Sequence, residues 1–254
     1  MSTTATTPAP TPEPAEGLSQ VSRITNVFFS PSKTFTDLKR SPSWWAAWLL
    51  ISVVSLAFVF AIGQKVGFGQ MWENQMKANP SSAAQYEKMT PEQRAFAGNF
   101  AKYFSYGTPV IVLIIAVIVA GVMMGTFNFG LGAEIPFGLS LAVVIYSMVP
   151  GILKSILAIV SLYAGADPTG FDVNNPVATN LGFLLNGSIL NRAEHPALYT
   201  LASWVDVFGI WTVILTGIGF ACVSKVKKST AIYVAVGWYA LIGLIFTGLA
   251  ALRG

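Results

Sequence analysis

Residues 135–166 read IPFGLSLAVVIYSMVPGILKSILAIVSLYAGA, 32 positions between Glu134 and Asp167 in which Lys154 carries the only charge. An α-helix needs about 20 mostly apolar residues to cross the hydrocarbon core of a bilayer, and this stretch exceeds that. Four further stretches are free of charge over about 18 or more positions. They lie between Arg40 and Lys65, Lys102 and Glu134, Asp206 and Lys225, and Lys228 and Arg253. The pattern predicts an all-α integral membrane protein, a bundle of about five transmembrane helices with short interfacial helices. The spans are expected at residues 43–63, 104–127, 138–163, 203–224 and 230–251.

Composition agrees: 54% of the residues are hydrophobic and 10% charged, where an average soluble domain has roughly 25% charged. In 254 residues five spans leave little for an extramembrane domain, so residues 23–254 read as one membrane domain. Residues 1–22, rich in Thr, Pro and Ala, have almost nothing to bury and read as a disordered tail. The first apolar stretch starts at Trp44, too far along and too long for a cleaved signal, and reads as a retained anchor. The net charge of +4 is spread over span flanks without forming a dense stripe, which argues against nucleic acid as a partner. A single cysteine, Cys222, excludes intramolecular disulfides and cysteine-based metal sites.

The flanks suggest orientation. Arg23, Lys33, Lys39 and Arg40 precede the first span, while Lys225, Lys227 and Lys228 fill the turn between the fourth and fifth. Both clusters fall on one side of a five-span protein, so the positive-inside rule places the N-terminus in the cytoplasm and Gly254 outside. The loop with Lys77, Lys88 and Arg94 runs against this, although Glu73, Glu87 and Glu92 are interspersed. Ser30 and Pro31 suit the N-cap and first position of an interfacial helix. Its aromatics Phe28, Phe29 and Phe35 would sink into the headgroup boundary while Lys33, Lys39 and Arg40 meet anionic lipid. Thr90-Pro91-Glu92-Gln93 is a capping box that starts a helix at Pro91. Phe96, Phe100 and Phe104 recur every four residues along it, the spacing of an amphipathic helix that rests on the membrane interface or packs on its neighbours. Asn79-Pro80 marks a shorter helix before it.

Inside the spans, Gly121 and Gly125 form a Gly-x-x-x-Gly pair, and Gly217 with Ala221 a second small pair, each a candidate seam within one subunit or between two. The tryptophans, among them Trp44, Trp48, Trp204, Trp211 and Trp238, fit an aromatic belt. Pro150 removes a backbone donor, so the third span is expected to kink at Tyr146-Ser147-Met148-Val149-Pro150-Gly151. Lys154 is the residue most open to a functional reading, because charge within a span is costly and needs a partner. Asp206 is the candidate partner, offset by roughly 10 Å in depth at 1.5 Å per residue. A snorkelling lysine or a register-fixing pair is the plainer alternative. The loop from Ala164 to Pro196 is turn-rich, with Val177 to Leu190 expected to lie as a shallow surface helix. Glu194 and His195 lie in it, but no zinc, nucleophile-elbow, Walker or dinucleotide pattern accompanies them. No cofactor, metal or catalytic residue is assigned.

Several segments together resemble the Yip1-domain membrane proteins, in particular their bacterial branch. These are Phe-Phe-Ser-Pro-x-x-x-Phe at Phe28 to Phe35, Thr90-Pro91-Glu92-Gln93 before span two, and Tyr146-Ser147-Met148-Val149-Pro150 within span three. The likeness runs from about Arg23 to Leu252. Eukaryotic relatives are multi-pass proteins of the early secretory pathway that bind Rab-type GTPases and help shape or traffic membranes. This chain has Tyr106-Gly107-Thr108-Pro109 where that branch has Asp-Leu-Tyr-Gly-Pro, and it lacks the long cytoplasmic N-terminal region, so the GTPase role is not carried over. The resemblance implies a non-enzymatic scaffold or adaptor of the bacterial inner membrane, with the lipid bilayer and a membrane protein or second copy as partners. The alternative is a small transporter or channel subunit using Lys154 and Asp206 at the kinked third span. An interfacial enzyme using His195 with Glu194 or Asp206 ranks last.

Overall fold

The computed structural model describes residues 17–78 and 80–252. Most of the N-terminal tail, together with Asn79, Arg253 and Gly254, therefore lies outside the described residues. The described chain is helical, with two isolated β-bridges and no strands. In chain order the helices are α1 (Gln20–Phe29), α2 (Pro31–Leu38), α3 (Trp45–Lys65), α4 (Phe68–Lys77), α5 (Pro80–Glu87), α6 (Pro91–Tyr106), α7 (Thr108–Gly125), α8 (Phe137–Met148), α9 (Gly151–Tyr163), α10 (Leu181–Leu185), α11 (Pro196–Trp204), α12 (Val207–Val223) and α13 (Lys228–Ala251). Four helical runs are long and apolar enough to cross a membrane: α3, α7 with the π-turn that continues it to Gly130, α8 with α9, and α13. A fifth apolar helix, α12, is 17 residues long. The protein is an all-α membrane protein.

Residues 135–166 form the centre. Every residue of α8 from Leu139 to Ser147 is buried, because α1, α2, α3, α7 and α12 all pack on it. A helix apolar on all sides suits such a place. Its hydroxyls find local acceptors: Ser147 Oγ donates to Val143 O at 2.8 Å and Ser140 Oγ crosses to Ala120 O of α7 at 2.8 Å. The helix stops at Met148 and restarts at Gly151. Pro150 has no N–H to offer Tyr146 O, which accepts instead from Val149 N at 3.2 Å, and the chain re-enters α9 through Leu153 N on Pro150 O at 3.1 Å.

The α1–α2 hairpin differs from the expected interfacial helix. Helix begins at Gln20, capped by Ser19, whose Oγ accepts from Ser22 N. Phe35 does not face lipid headgroups: it is fully buried, and a Cβ at Gly219 of α12 would stand 3.1 Å from its ring. Phe28 packs edge-on against Trp211 at 5.8 Å. Only Phe29 is exposed. The hairpin is closed by a buried ion pair that the sequence reading did not find. The Arg23 side chain, 1% exposed, lies 2.6 Å from Asp37 and also donates to Ser41 O at 2.9 Å. Burial alone would raise the Asp37 carboxyl, but the Arg23 hydrogen bond, the Leu18 N–H, the Arg23 charge and Arg40 together hold it below its ordinary value of 3.8. Gln20 Oε1 accepts from Tyr146 Oη at 2.9 Å, tying the hairpin to α8.

At the other end a smaller core gathers Ala61 and Ile62 of α3, Met71 of α4, Ala101 of α6, Leu162 of α9 and Phe171. The α6 capping box forms as expected, with Thr90 and Gln93 each bonding the other's backbone N–H. Of the two places open to its aromatic stripe, packing on neighbouring helices is not the one taken. Phe96, Phe100 and Phe104 are exposed, because the inward face is made of Gly98 and Ala101, small enough for α4 to approach within 3.2 Å of a Cβ placed at Gly98.

Candidate functional site

The fourth span, expected at 203–224, is built in two pieces. The chain leaves α11 at Trp204, runs extended through Asp206, and starts α12 at Val207. Asp206 is therefore the N-cap of α12, its Oδ1 accepting from Phe208 N at 3.0 Å and Gly209 N at 2.9 Å. Such a cap satisfies donors that the first helical turn leaves unpaired. Its other oxygen, Oδ2, accepts from Thr179 Oγ1 at 2.7 Å and Lys154 Nζ at 3.0 Å. The expected depth offset thus closes, because Asp206 sits level with Lys154 across the bundle. A carboxylate offers about four lone-pair sites, and all four face a donor supplied by the protein.

Thr179 is held in place by backbone pairing. Val207 N donates to Thr179 O at 3.0 Å and Leu181 N to Val205 O at 3.2 Å, making an antiparallel bridge between Asn180 and Asp206. The segment 177–190 is consequently not the surface helix expected. It has one five-residue helix, α10, capped by the Asn180 side chain on Phe183 N, and the turn at Gly187 needs φ +80, which glycine adopts without cost. The Asn180 amide continues inward to Asn175 Oδ1 at 2.8 Å, and Asn175 Nδ2 donates to Tyr199 Oη at 3.0 Å. Asn175 and Asn180 had no distinguishing signal in the sequence beyond a loop rich in asparagine.

Lys154, 25% exposed against 9% for Asp206, lines a cleft of about 990 Å³ between α7, α8, α9, α11, α12 and α13. One half is polar, with Lys154, Arg192, Asn174, Thr200 and Ser203; the other is apolar, with Val119, Met123, Val144, Val213 and Trp238. Arg192 donates to Asp172 at 2.5 Å and lies 5.1 Å over the Tyr199 ring. Trp238 Nε1 donates to Thr126 Oγ1 at 3.1 Å, joining α13 to the end of α7. Trp204 stacks on Phe246 at 5.8 Å and meets Tyr239 edge-on at 4.8 Å. These two tryptophans and Trp211 are half-buried, each with one part of its ring against the chain. Pro150 and Gly151 sit at the break between α8 and α9, one turn before Lys154, and Gly151 lines the cleft.

The small pairs separate. Gly217 faces α13, where an added Cβ would lie 2.6 Å from Ile232 Cα, and Ala221 packs against the main core. A Cβ at Gly121 or Gly125 would meet nothing within 4 Å. Lys33, Lys39, Arg40, Lys225, Lys227 and Lys228 are all exposed. Glu194 accepts from Asn191 at 3.0 Å, and His195 stands at the start of α11 without a side-chain cap bond. The described residues hold no group of three or more His, Cys, Asp or Glu arranged for a metal.

Comparison with curated proteins and with solved structures returns no match. The sequence model of the Yip1 domain matches residues 25–250, from the middle of α1 to the last turn of α13 and through the whole Lys154–Asp206 region. A match over nearly the whole described chain, on a multi-pass helical bundle of this kind, places it: the chain belongs to the Yip1 domain family.

Proposed function

We propose that this protein is a non-enzymatic membrane scaffold or adaptor of Yip1 type, organising a bacterial inner membrane or traffic within it through a membrane-protein partner or a second copy. The observation that carries the reading is the Gly121–Gly125 pair. At 100° per residue these glycines share the face of α7 that carries Ile114, Val117 and Ile118, all exposed. The other small seam, at Gly217, is already filled by α13 of the same chain. An outward, unfilled Gly-x-x-x-Gly face is suited to close approach by another helix. Orientation is proposed with the N-terminus cytoplasmic. Phe35 of α2 sits beside Gly219 near the C-terminal end of α12, which brings Lys33, Lys39 and Arg40 toward the end that carries Lys225, Lys227 and Lys228.

The test is brief crosslinking and affinity purification in native-lipid nanodiscs, for the wild type and for Gly121→Ile with Gly125→Ile. A partner or second copy recovered at near-equal amount with the wild type and lost with the variant is expected. Wild-type protein that purifies alone would overturn the reading. The transporter alternative draws on the cleft. Against it, Asp206 spends its lone pairs on Phe208, Gly209, Thr179 and Lys154, leaving none for a carried cation.

A further inference from the structure

The cleft beside Lys154 is amphiphilic along its length, and its polar half is a donor surface. Three charged residues line it: Lys154, Arg192 and Asp206. Asp206 is the only anion among them, and its lone pairs are already used by four protein donors. Lys154 has three N–H donors and spends one on Asp206. Arg192 has five and spends one on Asp172, a residue outside the cleft lining. Each cation already has a carboxylate partner, so what this end can offer a ligand is the spare N–H groups of an ammonium and a guanidinium, the chemistry that recognises phosphate oxygens.

Below that end the walls are mostly apolar, with the hydroxyls of Thr212 and Thr216 on α12 among them. Along α12 the lining runs from Asp206 to Thr216, about 15 Å at 1.5 Å per residue. This equals half of the roughly 30 Å hydrocarbon core, the depth of one leaflet's acyl chains. The volume of about 990 Å³ stands at the top of the roughly 300–1,000 Å³ range of small-molecule sites.

We infer that the cleft holds one anionic phospholipid, its phosphate on Lys154 and Arg192 and an acyl chain between α7, α8, α12 and α13. The bilayer supplies this ligand at high local concentration. The site is distinct from the α7 seam, so the scaffold role and lipid binding stand or fall separately.

Trp204 and Trp238 line the cleft and report its occupant. Full-length protein is placed in phosphatidylcholine nanodiscs, and brominated-acyl phosphatidylglycerol or brominated phosphatidylcholine is titrated in while tryptophan fluorescence is read. The wild type should show a saturable quenching component at about tenfold lower mole fraction for phosphatidylglycerol, because both lipids offer the same phosphate but phosphatidylcholine also brings a quaternary ammonium beside Lys154 and Arg192. Lys154→Gln should remove most of that preference. Arg192→Gln, which leaves the Lys154–Asp206 pair intact but removes the counter-ion of Asp172, should lower it several-fold in protein whose circular dichroism shows the wild-type helix content. Thr212→Leu, narrowing the apolar half, should abolish the saturable component for both lipids. Equal quenching by the two lipids in the wild type would overturn the proposal. So would displacement of the brominated lipid by inorganic phosphate, or by oleate as readily as by phosphatidylglycerol, since the first would need no chain and the second no phosphate.

Discussion

Replacing Asp206 by asparagine removes one charge and almost no volume, so the structure states what is lost. The amide oxygen can still cap α12, accepting from Phe208 and Gly209 N–H as Oδ1 does now. At the second position an NH2 group would face Thr179 Oγ1 and Lys154 Nζ, which now lie 2.7 and 3.0 Å from Oδ2. The threonine hydroxyl can turn and accept; the ammonium has only donors. The loss is therefore one charge-assisted hydrogen bond, about 1.5–3 kcal/mol, with a small further cost for a lysine deprived of its counter-ion. That further cost is small because the Lys154 side chain is 25% exposed and its stem can carry the charge toward the cleft. We expect a destabilisation of about 2–3 kcal/mol, below the roughly 3–5 kcal/mol of a wholly buried pair broken on one side. Unfolding of purified protein in mixed micelles, titrated with a denaturing detergent, measures it. A cycle with Lys154→Met and the double variant should return a coupling of about 2 kcal/mol. An Asp206→Asn protein within about 0.5 kcal/mol of the wild type, or a coupling near zero, would refute the reasoning. The Lys154–Asp206 contact would then add nothing measurable to stability, and α9 and α12 would be held together by packing alone.

Four other outcomes follow from the packing. Arg23→Met leaves Asp37 with only the Leu18 N–H and the exposed Arg40 as partners and should cost up to about 3–5 kcal/mol, seen as rapid proteolysis between residues 17 and 43 while α7 and α13 stay protected. Because Asp37 is held below its ordinary 3.8, its contribution is complete above that value and fades as pH falls through the lower folded value. Hairpin protection, followed by amide exchange, should stay level from neutral pH to about 5 and drop only below about 4; a loss centred near 6 would contradict this. Gly217→Ala sets a Cβ 2.6 Å from the Ile232 backbone and should cost about 1–3 kcal/mol, whereas Gly121→Ala meets nothing and should gain up to about 1 kcal/mol of helix propensity in monomeric protein; melting temperatures in micelles decide the sign of each. Thr90→Val removes the α6 capping box and should cost about 1 kcal/mol, with faster amide exchange confined to the first turn after Pro91.

The helices were legible because a bilayer imposes a length and a polarity that local sequence must meet. Residues 135–166 reveal both the span and its break, since Pro150 acts on the backbone of its own chain and needs no partner. The Thr90 capping box is local in the same way. What failed to be legible was the side each aromatic faces. Phe35 resembles a headgroup anchor from its basic neighbours Lys33, Lys39 and Arg40, yet it is buried against Gly219, a residue 184 positions later. Phe96, Phe100 and Phe104 look like a packed stripe by spacing alone. Gly98 and Ala101 on the opposite face bring α4 close, and nothing in the periodicity says that the small face wins.

The site was half legible for a related reason. A charge within a span announces itself by its cost, so Lys154 and a carboxylate at the end of another span were findable without a structure. The residues that decide what the pair does were not. Thr179 becomes a ligand of Asp206 only because the chain pairs Thr179 and Leu181 with Val205 and Val207, and the α12 cap exists only because the helix starts four residues later than its hydropathy suggests. These additions reverse the weight of the two partners. With its oxygens spent on a threonine, two backbone amides and a lysine, Asp206 is structural, and its charge serves to hold α12 against α9. Lys154 is the member with capacity to spare, and it turns that capacity toward a cleft whose other cation among the described residues, Arg192, is anchored from outside by Asp172. A lysine kept for register alone has no need of a cleft, an open donor set or a second cation beside it. The arrangement selects for an anion with an apolar body, and that preference can be measured without knowing which partner binds at Gly121 and Gly125.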